Sequence, residues 1–142
     1  MSDLICRDLC MTFRDAQSGA EVKALKNINF KLKQGEILAV LGPSGCGKTT
    51  LLNMIAGFLN PTSGDLTLGG VDINSPGAER GMVFQQGALF EWLTVARNVD
   101  FGLRMSGAPE KETAEKVLNW LDTVGLQGFG DTPTYQLSGG MQ

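Results

Sequence analysis

Eight consecutive residues, Gly42, Pro43, Ser44, Gly45, Cys46, Gly47, Lys48 and Thr49, carry the spacing G-x-x-x-x-G-K-[ST], which suits a loop wrapped around phosphate oxygens. Phosphate concentrates negative charge and needs many N–H donors at short range. Glycines let the backbone curl into a concave nest with its N–H groups turned inward. A helix that begins where the loop ends adds its unpaired first-turn donors, including that of Thr50, and the positive end of its dipole. Lys48 supplies a point charge for β- and γ-phosphates, and the Thr49 hydroxyl is a hard oxygen ligand suited to Mg²⁺. The motif has this meaning only between a strand and a helix. The apolar run Ile37, Leu38, Ala39, Val40, Leu41 predicts the strand, and residues 49–56 predict the helix.

The elements that must hold this loop fit within 142 residues, enough for one domain with one core. Hydrophobic residues make up 42% and charged residues 19%, a globular rather than a disordered composition. Net charge is -3 with no basic cluster, which argues against a nucleic-acid surface. Apolar runs fall far short of the roughly 20 residues of a membrane span. Met1, Ser2 and Asp3 carry neither the basic region nor the apolar region of a secretory signal. A cytoplasmic protein is expected, reaching a membrane only through a partner. Three cysteines and no histidine offer no zinc or disulfide framework. Cys6 and Cys10 are expected to pack as small apolar side chains. Cys46 is expected to matter through its backbone N–H.

Along the chain, residues 4–13 read as a strand with imperfect alternation. A polar turn follows, then a second strand from Val22 to Leu32 with a bulge near Lys26 and Asn27. Asn60, Pro61, Thr62, Ser63 and Gly64 form a turn. Asp65 to Leu68 is a short strand that Gly69 and Gly70 reverse, so a small antiparallel sheet is expected beside an α/β core. Residues 81–84 read as a buried strand running to Gln85, Gln86 and Gly87. Thr94 suits the cap of a helix reaching Met105, with Val95, Val99 and Leu103 on one face. A second helix opens at Pro109 or Glu110 and stops at Gly125, with Ala114, Val117, Leu118, Leu121 and Val124 as its core stripe. Residues 128–136 read as a loop into Leu137, Ser138, Gly139, Gly140, Met141 and Gln142.

The order of the phosphate loop, then Val83, Phe84 and Gln85, then Leu-Ser-Gly-Gly at 137–140, closely resembles the ATP-binding-cassette ATPases. The phrases at 76–81 and 92–95 resemble the nitrate/sulfonate/taurine importer branch of that family. The resemblance implies an α/β P-loop NTPase, of which this chain spans the N-terminal part. Residues 1–86 would hold an antiparallel β-subdomain and the nucleotide-binding core, with its sheet incomplete. Residues 87–142 would form a partial helical subdomain ending at the signature.

The cofactors implied are ATP and Mg²⁺. Phe13 falls where an aromatic, more often Tyr, stacks on adenine, a contact that needs only a π face. Gln85 matches a glutamine that touches Mg²⁺ and senses the γ-phosphate, with Gln86 offering a second register. Leu137, Ser138, Gly139, Gly140, Met141 and Gln142 would act in trans, each signature closing on ATP held by a second ATPase subunit in a head-to-tail dimer. Residues 88–97, from Ala88 to Arg97, match the surface that docks a helix of a transmembrane permease subunit. Leu89, Phe90, Trp92 and Leu93 are expected to line an apolar groove there. Glu91 stands where this branch usually has proline. The family resemblance places the protein peripherally on the inner face of the cell membrane.

The same resemblance implies a water-activating Glu and a γ-phosphate His downstream of the signature, neither of which this sequence carries. The sequence is therefore expected to be an incomplete ATPase subunit that binds ATP weakly and does not turn it over. Its unpaired loop strand is expected to favour aggregation. Two other readings remain: a non-transport cassette protein, and a non-catalytic nucleotide-binding or regulatory module.

Overall fold

The computed structural model describes residues 2–85 and 87–142. Met1 and Gln86, the neighbour that offers a second register for Gln85, lie outside the described residues. The chain divides into two compact units, Met1–Met82 and Val83–Gln142.

The first unit is a four-stranded antiparallel sheet with one helix. Strands β1 (Leu4–Arg14), β2 (Glu21–Leu32), β3 (Ser63–Leu68) and β4 (Val71–Asp72) stand in the order β2-β1-β3-β4. The imperfect alternation of β1 has a structural cause. Leu4 and Cys6 are buried, then Leu9 and Met11, so the buried positions change from even to odd. The four residues of β1 from Cys6 to Leu9 face the three residues of β2 from Phe30 to Ile28, and the extra residue re-phases the strand. Asp8 takes up the irregularity at φ 47. The compensating bulge lies on β2, where Met11 pairs with Leu25 and Leu9 with Ile28, and Asn27 sits at φ 51. This is the bulge expected at Lys26 and Asn27. Side chains staple it: Asp8 N–H donates to Asn29 Oδ1 at 2.8 Å and Asn29 Nδ2 to Asp8 Oδ1 at 3.0 Å.

Helix α1 (Lys48–Ala56) buries Leu51 and Met54 in the cluster formed by Leu4, Cys6, Leu9, Met11, Leu25, Leu66 and Ile73. Each such burial contributes roughly 1.5–3 kcal/mol. Cys6 packs as expected, and its thiol donates to the Ile28 carbonyl at 3.2 Å. Cys10 does not: it is half-buried at the bulge and bonds Asn27 Oδ1 at 3.2 Å.

Two expected strands are absent. Residues 37–41 run as irregular chain with Ile37 96% and Leu41 90% exposed. Residues 81–84 do likewise, with Val83 97% exposed. An apolar run becomes a strand only when a neighbour completes its hydrogen-bond ladder. Among the described residues no strand pairs with either segment, so their backbones face water.

The second unit packs α2 (Val95–Met105) against α3 (Glu110–Thr123), followed by a 3-10 turn at Thr134–Gln136 inside the expected loop. Its core is Val95, Val117, Leu121 and Leu137, with Ala96, Val99, Leu126 and Met141 against it. The stripe expected on α3 is displaced. Thr113, Val117 and Leu121 are the buried positions, while Ala114, Leu118 and Val124 are exposed. Thr113 is tolerated because its hydroxyl donates to the Pro109 carbonyl at 3.0 Å. Buried Asp100 on α2 is flanked by Arg97 at 3.0 Å and Arg104 at 3.9 Å. Among the described residues no helix is long and apolar enough to cross a membrane.

Candidate nucleotide site and its relatives

The phosphate-loop residues are brought together at the start of α1. Gly45 lies at φ 80 and Gly47, the residue before the helix, at φ 98 and ψ 4. That left-handed turn swings the chain from loop into helix, and glycine adopts it without strain. Gly47 also has no room for a side chain, since a Cβ there would lie 2.6 Å from the Ala24 carbonyl oxygen and 2.8 Å from Leu25 Cδ2. Its bareness lets the loop sit directly on β2.

Lys48 bends back over the loop. Its ammonium donates to the carbonyls of Gly42 and Pro43, both at 2.7 Å, and lies 3.5 Å from Cys46 Sγ. The first two bonds hold the charge at the mouth of the loop. The third partner is a weak acceptor that a phosphate oxygen would displace.

The three helix starts differ in what they leave open. At α2, Val95 N–H donates to Thr132 O at 3.0 Å and Ala96 N–H to Gly130 O at 2.9 Å. Arg97 N–H donates to Thr94 Oγ1 at 3.3 Å, the cap expected from the sequence. At α3 the first turn carries Glu110 and Glu112, which repel anions. At α1 no side chain caps the helix and the first turn holds no acid. The α1 start therefore keeps the open donors and positive field that an anion requires.

Cys46 is exposed in the same loop, whereas Cys6 is buried and desolvation pushes its thiol up to about 11. Maleimide at pH 7.5 is expected to label Cys46 in the native chain and to reach Cys6 only after denaturation. Mass spectrometry of the labelled peptides checks this. The raised Cys6 value means that the native state holds a proton the unfolded state releases. That contribution to stability is full below pH 9 and is lost as pH rises through about 11.

The other candidates belong to other elements of the chain. Phe13 sits near the end of β1, 41% exposed and in register with Val22. Gln85 is exposed in a bend of the second unit. Leu137 is buried, whereas Ser138, Gly139 and Gly140 are exposed. The Ser138 carbonyl accepts from Met141 N–H at 2.9 Å and Gln142 N–H at 3.2 Å.

In residues 88–97, Leu89, Phe90 and Leu93 are half-buried and Trp92 is 80% exposed. The Phe90 ring lies 4.3 Å from that of Phe101 and 5.3 Å from that of Trp92. Sequence reasoning missed the residue that shapes this loop. Asn98 Oδ1 accepts from Phe90 N–H at 2.8 Å, and its Nδ2 donates to Phe90 O at 3.1 Å and Thr94 O at 3.0 Å. An amide one turn into an amphipathic helix, four residues after its cap, is the only trace this clamp leaves in the sequence.

A family model described as ABC transporter matches residues 25–142. The chain is 68% identical over its whole length to the taurine import ATP-binding protein TauB of Pelagibacter ubique, and 54% identical to that of Jannaschia sp.. It spans about half the length of these curated relatives, 53% in both cases. Among solved structures, the ATP-binding cassette MJ0796, as a post-hydrolysis dimer bound to ADP and Pi, matches 97% of this chain with a TM-score of 0.83 at 29% identity. The match covers 64% of that chain. The fold is that of the N-terminal part of an ATP-binding cassette, and the chain belongs to the ABC transporter family.

Proposed function

We propose that this chain is the nucleotide-holding part of the ATP-binding subunit of an importer for taurine or a related sulfonate. The observation that carries the proposal is the open, acid-free start of α1 with the Lys48 ammonium held over it at 2.7 Å from two loop carbonyls. The names and high identity of the relatives support the choice of solute class.

The residues present fit Mg-ATP, whose phosphoanhydride supplies the free energy for transport when bound. The N–H groups of Gly45 and of residues 47–50 would donate to phosphate oxygens, while that of Cys46 donates to the Pro43 carbonyl at 3.4 Å. Lys48 neutralises charge on the β- and γ-phosphates. The Thr49 hydroxyl would be an oxygen ligand for Mg²⁺. Phe13 offers an exposed ring face to adenine. Ser138, Gly139 and Gly140 close on nucleotide held by a second ATPase subunit, and the region around Trp92 receives a helix of a permease subunit at the inner face of the membrane.

Calorimetric titration with Mg-ATP tests the proposal. Saturable binding is expected, and a folded chain that takes up no nucleotide at millimolar ATP overturns it. Capture of the permease by the immobilised chain is expected to be lost in Trp92→Ala while Mg-ATP binding persists. Equal capture by both proteins would remove the docking assignment alone.

A further inference from the structure

Two surfaces of the second unit, residues 88–97 and residues 138–142, are joined by a continuous set of hydrogen bonds that neither role requires. The link begins at Phe90. Its carbonyl accepts from Leu93 N–H at 3.0 Å, from Asn98 Nδ2 at 3.1 Å and from the Thr134 hydroxyl at 3.5 Å. Thr134 is 2% exposed, so its hydroxyl has no water to turn to. The carbonyl of the same residue accepts from Leu137 N–H at 3.1 Å and from the Gln142 side chain at 3.2 Å. One buried residue thus bonds the 90–94 loop on one side and both ends of the 137–142 turn on the other.

The backbone nearby runs the same way. The first N–H groups of α2 donate to Thr132 and Gly130, and Thr94 pairs with Pro133 as an isolated bridge. The stretch that leads into the signature is therefore attached to the helix start that carries the loop. Packed polar contacts of this kind transmit a displacement, because the buried Thr134 hydroxyl is left unpaired when it parts from the Phe90 carbonyl.

We propose that Thr134 is a positioning residue that couples the 88–97 surface to the 138–142 turn, so that whatever is held at one surface sets the geometry of the other. What the two surfaces hold rests on the functional reading above; the coupling itself does not.

Backbone amide exchange on the intact chain tests it, read at Phe90 and Leu93 for the loop and at Met141 and Gln142 for the turn. Asn98→Ala touches only the loop. It is expected to speed exchange at the loop and also, by about fivefold or more, at Met141 and Gln142. Thr134→Val is expected to speed Met141 and Gln142 to a similar degree, Thr134→Ser to restore them, and the double variant Asn98→Ala/Thr134→Val to be no faster there than Thr134→Val. The Val117 and Leu121 amides of α3 report general unfolding. If Asn98→Ala loosens them, Asn98→Asp, which keeps an acceptor for Phe90 N–H, takes its place.

The coupling is overturned if loop exchange rises while Met141 and Gln142 stay within about twofold of the parent, or if the two single effects multiply in the double variant. Failure of the chain to bind Mg-ATP removes the functional reading and leaves the exchange result standing. Normal Mg-ATP binding with multiplying exchange effects removes the coupling and leaves the functional reading standing.

Discussion

Lys48→Ala is expected to weaken Mg-ATP binding by at least about 100-fold, measured by calorimetry or by displacement of a fluorescent nucleotide. A charge-assisted hydrogen bond contributes about 1.5–3 kcal/mol, and the ammonium is placed to make more than one with the phosphates. A loss of about 3 kcal/mol corresponds to roughly two decades in Kd. The fold is expected to survive. Lys48 contacts the exposed Gly42 and Pro43 carbonyls and belongs to neither apolar cluster, so water satisfies the carbonyls it leaves. Lys48→Arg separates charge from shape. The planar guanidinium keeps the charge but is longer and forked, and it is expected to recover only part of the affinity. Unchanged binding in Lys48→Ala would show that the nucleotide is held elsewhere.

Gly47→Ala is expected to cost both stability and binding. An alanine at φ 98 is strained by about 1–2 kcal/mol. Its methyl would also lie 2.6 Å from the Ala24 carbonyl oxygen, a backbone atom that cannot rotate away. Either the loop lifts from β2 or the strand moves. A loss of about 3 kcal/mol, and a fall in melting temperature of at least about 10 °C, is expected. Gly45→Ala is the control. It shares the left-handed backbone, at φ 80, but its Cβ meets nothing within 4 Å. It is expected to cost about 1 kcal/mol of backbone strain alone. Equal melting temperatures for the two variants would remove the role assigned to contact with β2.

The local features of this chain were legible because each is written within a few residues. The phosphate loop is one contiguous motif, Thr94 announces α2, and the bulge at Asn27 appears as a break in the alternation of β2. What was not legible depends on distant partners. Residues 37–41 have the composition of a strand, but a ladder needs a neighbour, and the described residues supply none. On α3, the neighbours Val117 and Leu118 both fit a helical stripe, and only the position of α2 and Leu137 decides which is buried. Thr134 left no sign at all. A hydroxyl that bonds a carbonyl 44 residues away has no period in the sequence. The folding of Lys48 onto its own loop was equally hidden, since the motif states which residues are present and not what they bond.

The surplus residue near Asp8 works as a half-step in the weave of the outer sheet. Removing it would carry everything from Leu9 onward across to the opposite side of the fabric, and the grease now hidden beneath the helix would be turned to water while Cys10 and Thr12 went inward. Because Asp8 and Asn27 offset one another on facing strands, neither can be lost alone. The floor on which the nucleotide loop rests thus depends on these two irregularities kept in step, and on a third at Ala24, where Met11 pairs with Leu25 and Thr12 with Lys23.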